Sequence, residues 1–149
     1  MNTPKYIIIH HSLTKDSVSV SWGAIRKYHM GLLPGSYVEH PMINIGYHYG
    51  IELVDDQYEV LLGRFEDEHG AHCTQQNMNM QSLGICCVGN FDIEQPHIEQ
   101  WKTCLLLTKY LQQRYNIVTA NVLGHGELAL YKSCPGKNWD MDLFRDQCK

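Results

Sequence analysis

The sequence predicts an α/β fold, a single-domain mixed β-sheet flanked by helices on both faces. Three observations predict it. Short apolar, β-branched runs alternate with segments of helical periodicity in the order β-α-ββ-β-α-β-α. A chain of 149 residues has the length of one domain and can bury a sizeable core. No internal repeat, linker or low-complexity stretch divides residues 1–149.

Each element has its own signal. Tyr6-Ile7-Ile8-Ile9-His10 is a short β-branched run, the pattern of a strand buried on both faces. Polar Ser12 to Ser21 reads as a loop, after which Ser21 can cap a helix running to about Met30, with Trp22, Ile25 and His29 on one face. Gly31 to Ile45, with Pro34-Gly35 and Pro41, reads as a long irregular loop. The runs 47–54 and 58–62 flank Asp55-Asp56 and form a hairpin pattern. Glu66 to Met80 is polar and reads as a surface loop, and Ser82 to Gly89 as another buried strand. From about Pro96 to Tyr115, Ile98, Trp101, Leu105, Tyr110 and Leu111 mark an amphipathic helix with Pro96 in its first turn. Asn121 to His125 is a short strand ending in a histidine, and a last helix starts near Met141, with Asp140 or Asp142 at its head.

Composition narrows the function. With 44% hydrophobic and 19% charged residues the chain is ordinary for a globular protein, which argues against disorder. A net charge of -4 leaves no cationic excess to neutralise phosphates, so a nucleic-acid partner is excluded. No segment approaches the roughly 18 apolar residues of a membrane helix, so no membrane insertion is expected. Met1 to Lys5 leads into the first strand without a secretory apolar stretch, so the expectation is synthesis in the cytoplasm without a signal peptide. Nine His and six Cys are the unusual feature. Adjacent Cys86-Cys87 in a strand and Cys104 on an apolar helical face read as reduced, buried thiols.

Imidazoles and thiolates are zinc ligands, and a catalytic zinc takes three of them and leaves one position to water. His10 closes the first strand, His125 the last, and Cys134 follows nine positions later. Spacing alone leaves blander readings open: His10 as a polar strand end, His125 as a turn residue between glycines, Cys134 as a small hydrophobe. A purely structural zinc would need a fourth ligand, for example Cys73 or His11.

The motifs become specific in combination. Ile8-Ile9-His10-His11-Ser12-Leu13-Thr14, Ile45-Gly46-Tyr47-His48-Tyr49, Ser82-Leu83-Gly84-Ile85 and Gly124-His125-Gly126-Glu127 with Lys132-Ser133-Cys134-Pro135-Gly136 occur in that order. Together they resemble the zinc-dependent N-acetylmuramoyl-L-alanine amidase family of phage lysozyme-type amidases and peptidoglycan recognition proteins, from about Tyr6 to the C-terminal helix. The resemblance implies a mixed sheet with flanking helices, Zn2+ held by His10, His125 and Cys134, and catalytic Tyr47 and Lys132. The implied reaction is hydrolysis of the amide between N-acetylmuramic acid and L-alanine in peptidoglycan, and a muropeptide is the implied partner. Zinc would lower the pKa of a water towards neutrality, with Lys132 and Tyr47 stabilising the oxyanion.

His72, in Gly70-Ala71-His72, resembles a substrate-groove position. Strand alternation lets only one of His10 and His11 meet a single metal, and the same parity makes Tyr47 and His48 alternatives for one pocket. Glu127 is a candidate to orient an imidazole. As bland readings, Lys132 is a solvated loop lysine and Tyr47 a packing aromatic. His125 and Cys134 stand one residue further apart than in the phage enzymes, an insertion assigned to Leu128–Tyr131. The alternative function is a non-catalytic peptidoglycan-binding module, which typically lacks the Cys ligand. Action on the cell wall is expected, whether as a phage endolysin released from the host cytoplasm, a recycling enzyme or an injected toxin.

Overall fold

The computed structural model describes residues 3–14, 20–35 and 38–149. Positions 15–19 and 36–37, within the two long loops expected from sequence, lie outside the described residues, as do residues 1–2. In chain order the elements are β1 (Tyr6–His11), α1 (Trp22–His29), β2 (Tyr49–Val54), β3 (Gln57–Leu62), α2 (Met78–Gln81), β4 (Ser82–Cys87), α3 (Ile98–Tyr115), β5 (Val122–Gly124), α4 (His125–Leu128) and α5 (Met141–Gln147). Single 3₁₀ turns at Gln75–Asn77 and Thr119–Asn121 lead into α2 and β5.

The five strands form one mixed sheet of order β3-β2-β4-β1-β5. β1 pairs in parallel with β4 on one side and β5 on the other, β2 is parallel to β4, and β2 and β3 form the antiparallel hairpin. Asp55 and Asp56 take φ values of 45° and 66°, as a two-residue type I′ turn requires. Ile7, Ile8 and Ile9 are fully buried, because helices cover both faces of the central strands. One face packs Ile7, Ile9, Ile51, Leu83 and Ile85 against α3 and α5, and the other packs Cys86 against Trp22 and Ile25 of α1.

Side-chain caps set the helix starts. The Ser21 hydroxyl accepts from Ala24 N–H at 3.1 Å, and the Asp140 carboxylate from Leu143 N–H at 2.9 Å. The long helix starts two residues later than Pro96 suggests, since the His97 ring caps it by accepting from Glu99 N–H at 3.3 Å. Its buried positions are Gln100, Trp101, Cys104, Thr108 and Leu111, whereas Ile98 and Tyr110 are exposed. The buried stripe therefore includes Cys104, as expected, and also a glutamine and a threonine that a hydrophobic pattern underweights. α5 is anchored by Phe144, fully buried with its ring centroid 5.0 Å from Trp101 and 5.6 Å from Trp139.

Three other expectations change. The hairpin strand begins at Tyr49 rather than 47, since Tyr47 and His48 bond to Arg64 and Gly84 ahead of the ladder. The stretch 66–80 is not a surface loop throughout: His72, Cys73 and Met78 are buried, with Cys73 and Met78 packed against Ile8. His125 opens a short helix instead of closing a strand, because the chain turns after Gly124.

Leu111 is fully buried in α3, whereas Leu106 is 69% exposed. Leu111→Ala is predicted to cost about 2–5 kcal/mol in chemical denaturation and Leu106→Ala less than about 0.5 kcal/mol. The reverse ranking would place the wrong face of α3 on the sheet.

Candidate metal centre and catalytic cleft

Parallel pairing of β1 with β5 aligns Ile9 with Gly124, so the next residue of each strand, His10 and His125, emerges at the same level of the sheet. This is the carboxyl edge of the parallel strands, the usual location of sites in such sheets. The two rings lie 4.6 Å apart, centroid to centroid. Cys134 arrives from the loop after α4. Gly126 N–H bonds to the Cys134 carbonyl, and a Cβ at Gly126 would come within 2.6 Å of the Lys132 carbonyl oxygen, so only glycine lets the loop close this tightly. Asp92 fastens the same loop, accepting from the Ser133 hydroxyl at 2.6 Å and Lys137 N–H at 3.0 Å.

Between His125 and Cys134 the chain folds back on itself in tight turns. Ala129 N–H closes on His125, Lys132 N–H closes on Ala129, and Leu130 and Tyr131 project into solvent.

Ligand atoms of His10, His125 and Cys134 all lie within 4.8 Å of one another, a group that could hold a metal ion. Cys134 Sγ is 3.6 Å from His10 Nδ1. Tetrahedral zinc, with bonds of about 2.3 Å to sulfur and about 2.0 Å to nitrogen, separates such ligand atoms by about 3.5 Å. The donor set fits. Among the described residues neither fourth-ligand candidate joins it: His11 Nδ1 accepts from Phe91 N–H at 3.2 Å, and the Cys73 thiol turns to Gln75.

With Nδ1 facing Cys134, His10 Nε2 lies 3.0 Å from His72 Nδ1. A metal on Nδ1 requires the His10 proton on Nε2, so His10 donates and His72 accepts. The His72 ring is 8% exposed and occupies space that any side chain at Gly84 would fill, since a Cβ there would come within 2.7 Å of it. His72 Nε2 is buried, and the Ser82 backbone beside the ring favours its protonated form. His48 takes no place in the pocket. Its Nδ1 accepts from Gly84 N–H at 3.0 Å and its Nε2 reaches the Glu68 carbonyl at 3.1 Å.

Tyr47, from the same dipeptide, does line the pocket, its ring centroid 5.1 Å from His10. His10, His125, Cys134, Tyr47, His72 and Lys132 share the wall of one cleft of about 480 Å³. A cleft of similar volume beside Arg114 has its one partly buried carboxylate, Glu66, already bonded to Tyr49, Tyr115 and Arg114. Glu127 does not reach an imidazole. Its carboxylate accepts from Gly124 N–H at 2.6 Å and pairs with Arg145. His29 and His97 act on backbone: Gly46 N–H donates to His29 Nδ1 at 3.0 Å, and His97 caps α3.

Burial sets the protonation states. It lowers His10 well below the ordinary imidazole value, with His72, His125 and Lys132 adding to the effect, and brings His125 down to about 4. It raises the Cys134 thiol to about 12, partly offset by the His11 backbone and Lys132. It also holds the Tyr47 phenol well above 10, with Cys86 and Cys134 contributing. At neutral pH the two imidazoles are thus ready to ligate and the phenol is a donor. The thiol must give up a proton to bind metal.

The N-acetylmuramoyl-L-alanine amidase family model matches residues 1–137. The chain belongs to this family and is an enzyme of that class. The N-acetylmuramoyl-L-alanine amidase LysC from Clostridium intestinale superposes with a TM-score of 0.77 at 25% identity, covering 97% of this chain and 85% of that one. Drosophila peptidoglycan recognition protein SD gives 0.70 at 22% identity over 93% and 78%. The Ph2119 endolysin of a Thermus scotoductus bacteriophage gives 0.66 at 23% over 99% and 86%. The last two likenesses speak for the fold alone. No curated protein matches the chain. Among the described residues no helix is long and apolar enough to cross a membrane.

His10, His11, His29, His48, His72 and His125 all have pKa values lowered from 6.5 in the fold, burial being the largest cause in each. The unfolded chain then binds more protons below about pH 6.5, so folding stability falls with pH from there to about 4. The Tm of chelator-treated protein is predicted to drop steadily across that window. A flat profile would contradict the buried, neutral imidazoles.

Proposed function

We propose that His10, His125 and Cys134 hold zinc and that the cleft hydrolyses the amide joining the lactyl group of N-acetylmuramic acid to L-alanine in bacterial peptidoglycan. The observation that carries this reading is the convergence of two imidazoles and one thiol, from positions 10, 125 and 134, on one point of an open cleft. Three ligands leave a tetrahedral ion one position for substrate or water, which is the catalytic arrangement. When bound there, zinc supplies a Lewis acid that polarises the scissile carbonyl and lowers the pKa of a water towards neutrality.

The chain's own groups account for the remaining requirements. Cys134 binds as thiolate, its proton leaving to solvent, and two neutral imidazoles complete a set of net charge about +1 with the ion. His72 keeps the His10 ring in one orientation and one tautomer by accepting from Nε2. Its low exposure makes positioning its main part, with any substrate contact confined to the ring edge that lines the cleft. Tyr47, protonated at every physiological pH, donates to the carbonyl oxygen as that atom gains charge. Lys132, exposed at the rim, adds a cation whose field already lowers His10 and His125.

Each non-catalytic reading lacks support. A wall-binding module does not need the Cys ligand that is present here. A structural zinc would need a fourth ligand that neither His11 nor Cys73 supplies. The similarity to LysC supports the cell wall as the place of action.

The test is mass spectrometry of the products formed from a defined muropeptide. The predicted products are a peptide with a free L-alanine amino terminus and a muramic acid with an intact lactyl carboxylate. Tyr47→Phe is predicted to form the same products about 10²–10³-fold more slowly, at unchanged zinc content. A cut within the glycan, or between two amino acids of the peptide, would overturn the assignment.

A further inference from the structure

The second ligand sits on an element that cannot hold itself in place. His125 is the first residue of α4, a helix of four residues, and isolated helices that short do not persist in water. Contacts from elsewhere must fix the turn from β5 into α4, and besides the β1 ladder and the Cys134 loop one side chain of α5 supplies several of them. Arg145 Nη1 donates to both Glu127 carboxylate oxygens, at 3.0 and 2.9 Å, and to the Val122 carbonyl at 3.3 Å. Glu127 in turn accepts from Gly124 N–H, immediately before the ligand. The guanidinium therefore grips the chain three residues before His125 and two residues after it.

The grip is itself anchored. Arg145 is 19% exposed at its side chain and Glu127 39%, so the pair is shielded from solvent mainly on its cationic side. Its neighbour Phe144 is fully buried, and Gln147 accepts from the Trp101 indole at 2.7 Å, tying α5 to α3. Asp142 takes the other end of the guanidinium, Nη2, at 2.6 Å and directs Nη1 towards α4. α5 lies wholly beyond residues 1–137, the part of the chain that the family model matches.

We propose that Arg145, acting through Glu127, is a positioning residue for the metal ligand His125, so that the C-terminal helix is part of the metal site. Without this link the β5–α4 turn has more conformations to lose on binding metal, and the ligand set is less preorganised. The inference rests on the zinc reading above.

The test is zinc affinity, measured by competition with a chromophoric chelator, alongside the Tm of each metal-free variant. Arg145→Met and Glu127→Ala are each predicted to weaken zinc binding on the order of 10-fold, the size typical of residues that orient a ligand. The double variant should be little weaker than either single one, because both break the same link. Arg145→Lys should recover part of the affinity. Asp146→Asn, which breaks the exposed pair with Lys149 on the same helix, should leave affinity unchanged.

A lower Tm with wild-type zinc affinity in both Arg145→Met and Glu127→Ala would make the link merely structural and overturn the inference. Should Arg145→Met fail to fold, Glu127→Ala and Arg145→Lys decide by the same readout. Wild-type protein that binds no zinc would overturn the functional reading and this one together, whereas wild-type binding matched by the variants overturns this one alone.

Discussion

The parallel pairing of β1 with β5 is the constraint on which the site depends, because it brings residues 115 positions apart to the same edge of one sheet. In this register Ile9 lies beside Gly124, and the chain then delivers His10 and His125 side by side. Slipping the pairing by one residue would turn the alternating side chains to the opposite face and separate the two rings. The buried isoleucines of β1, covered from both sides, hold the register. The glycine at 126 and the Asp92 contacts bring in the thiol by a separate route, so the third proposed ligand depends on loop closure rather than on the sheet.

Burial has opposite consequences for the groups it gathers. Imidazoles removed from water stay neutral, which is the form that binds metal, while a thiol removed from water keeps its proton, which metal must displace. A single desolvated cleft thereby provides ligands, a proton to lose and, in Tyr47, a donor that does not ionise. The cost is a row of buried histidines that acid would charge. Lys132 stands exposed at the rim of the cleft.

Most of the architecture was legible in the sequence because its elements carry local signals: the triple isoleucine of β1, Ser21 and Asp140 as caps, and Asp55-Asp56 between two strand patterns. The proposed ligands and Tyr47 stood out through ordered motifs, not through spacing, which by itself left each residue an ordinary alternative. What remained hidden is tertiary. Nothing local shows that His72, in a polar stretch, folds inward across Gly84 to hold His10, or that Glu127 turns away from the imidazoles towards Arg145. The stripe of α3 was blurred for a related reason, since Gln100 and Thr108 are buried by packing that hydropathy does not encode. The amino acid that moved from strand end to helix start, His125, did so because the chain turns after Gly124, where the pattern of apolar residues runs straight on.

The central claim is a single ion shared by residues from two strands and a loop. X-ray absorption spectroscopy at the zinc edge, on protein purified with stoichiometric zinc, tests it most directly. The account predicts one sulfur at about 2.3 Å and two imidazole nitrogens with one oxygen at about 2.0 Å, the sulfur shell vanishing in Cys134→Ser. A shell with no sulfur, with two sulfurs, or with no imidazole scattering would contradict it.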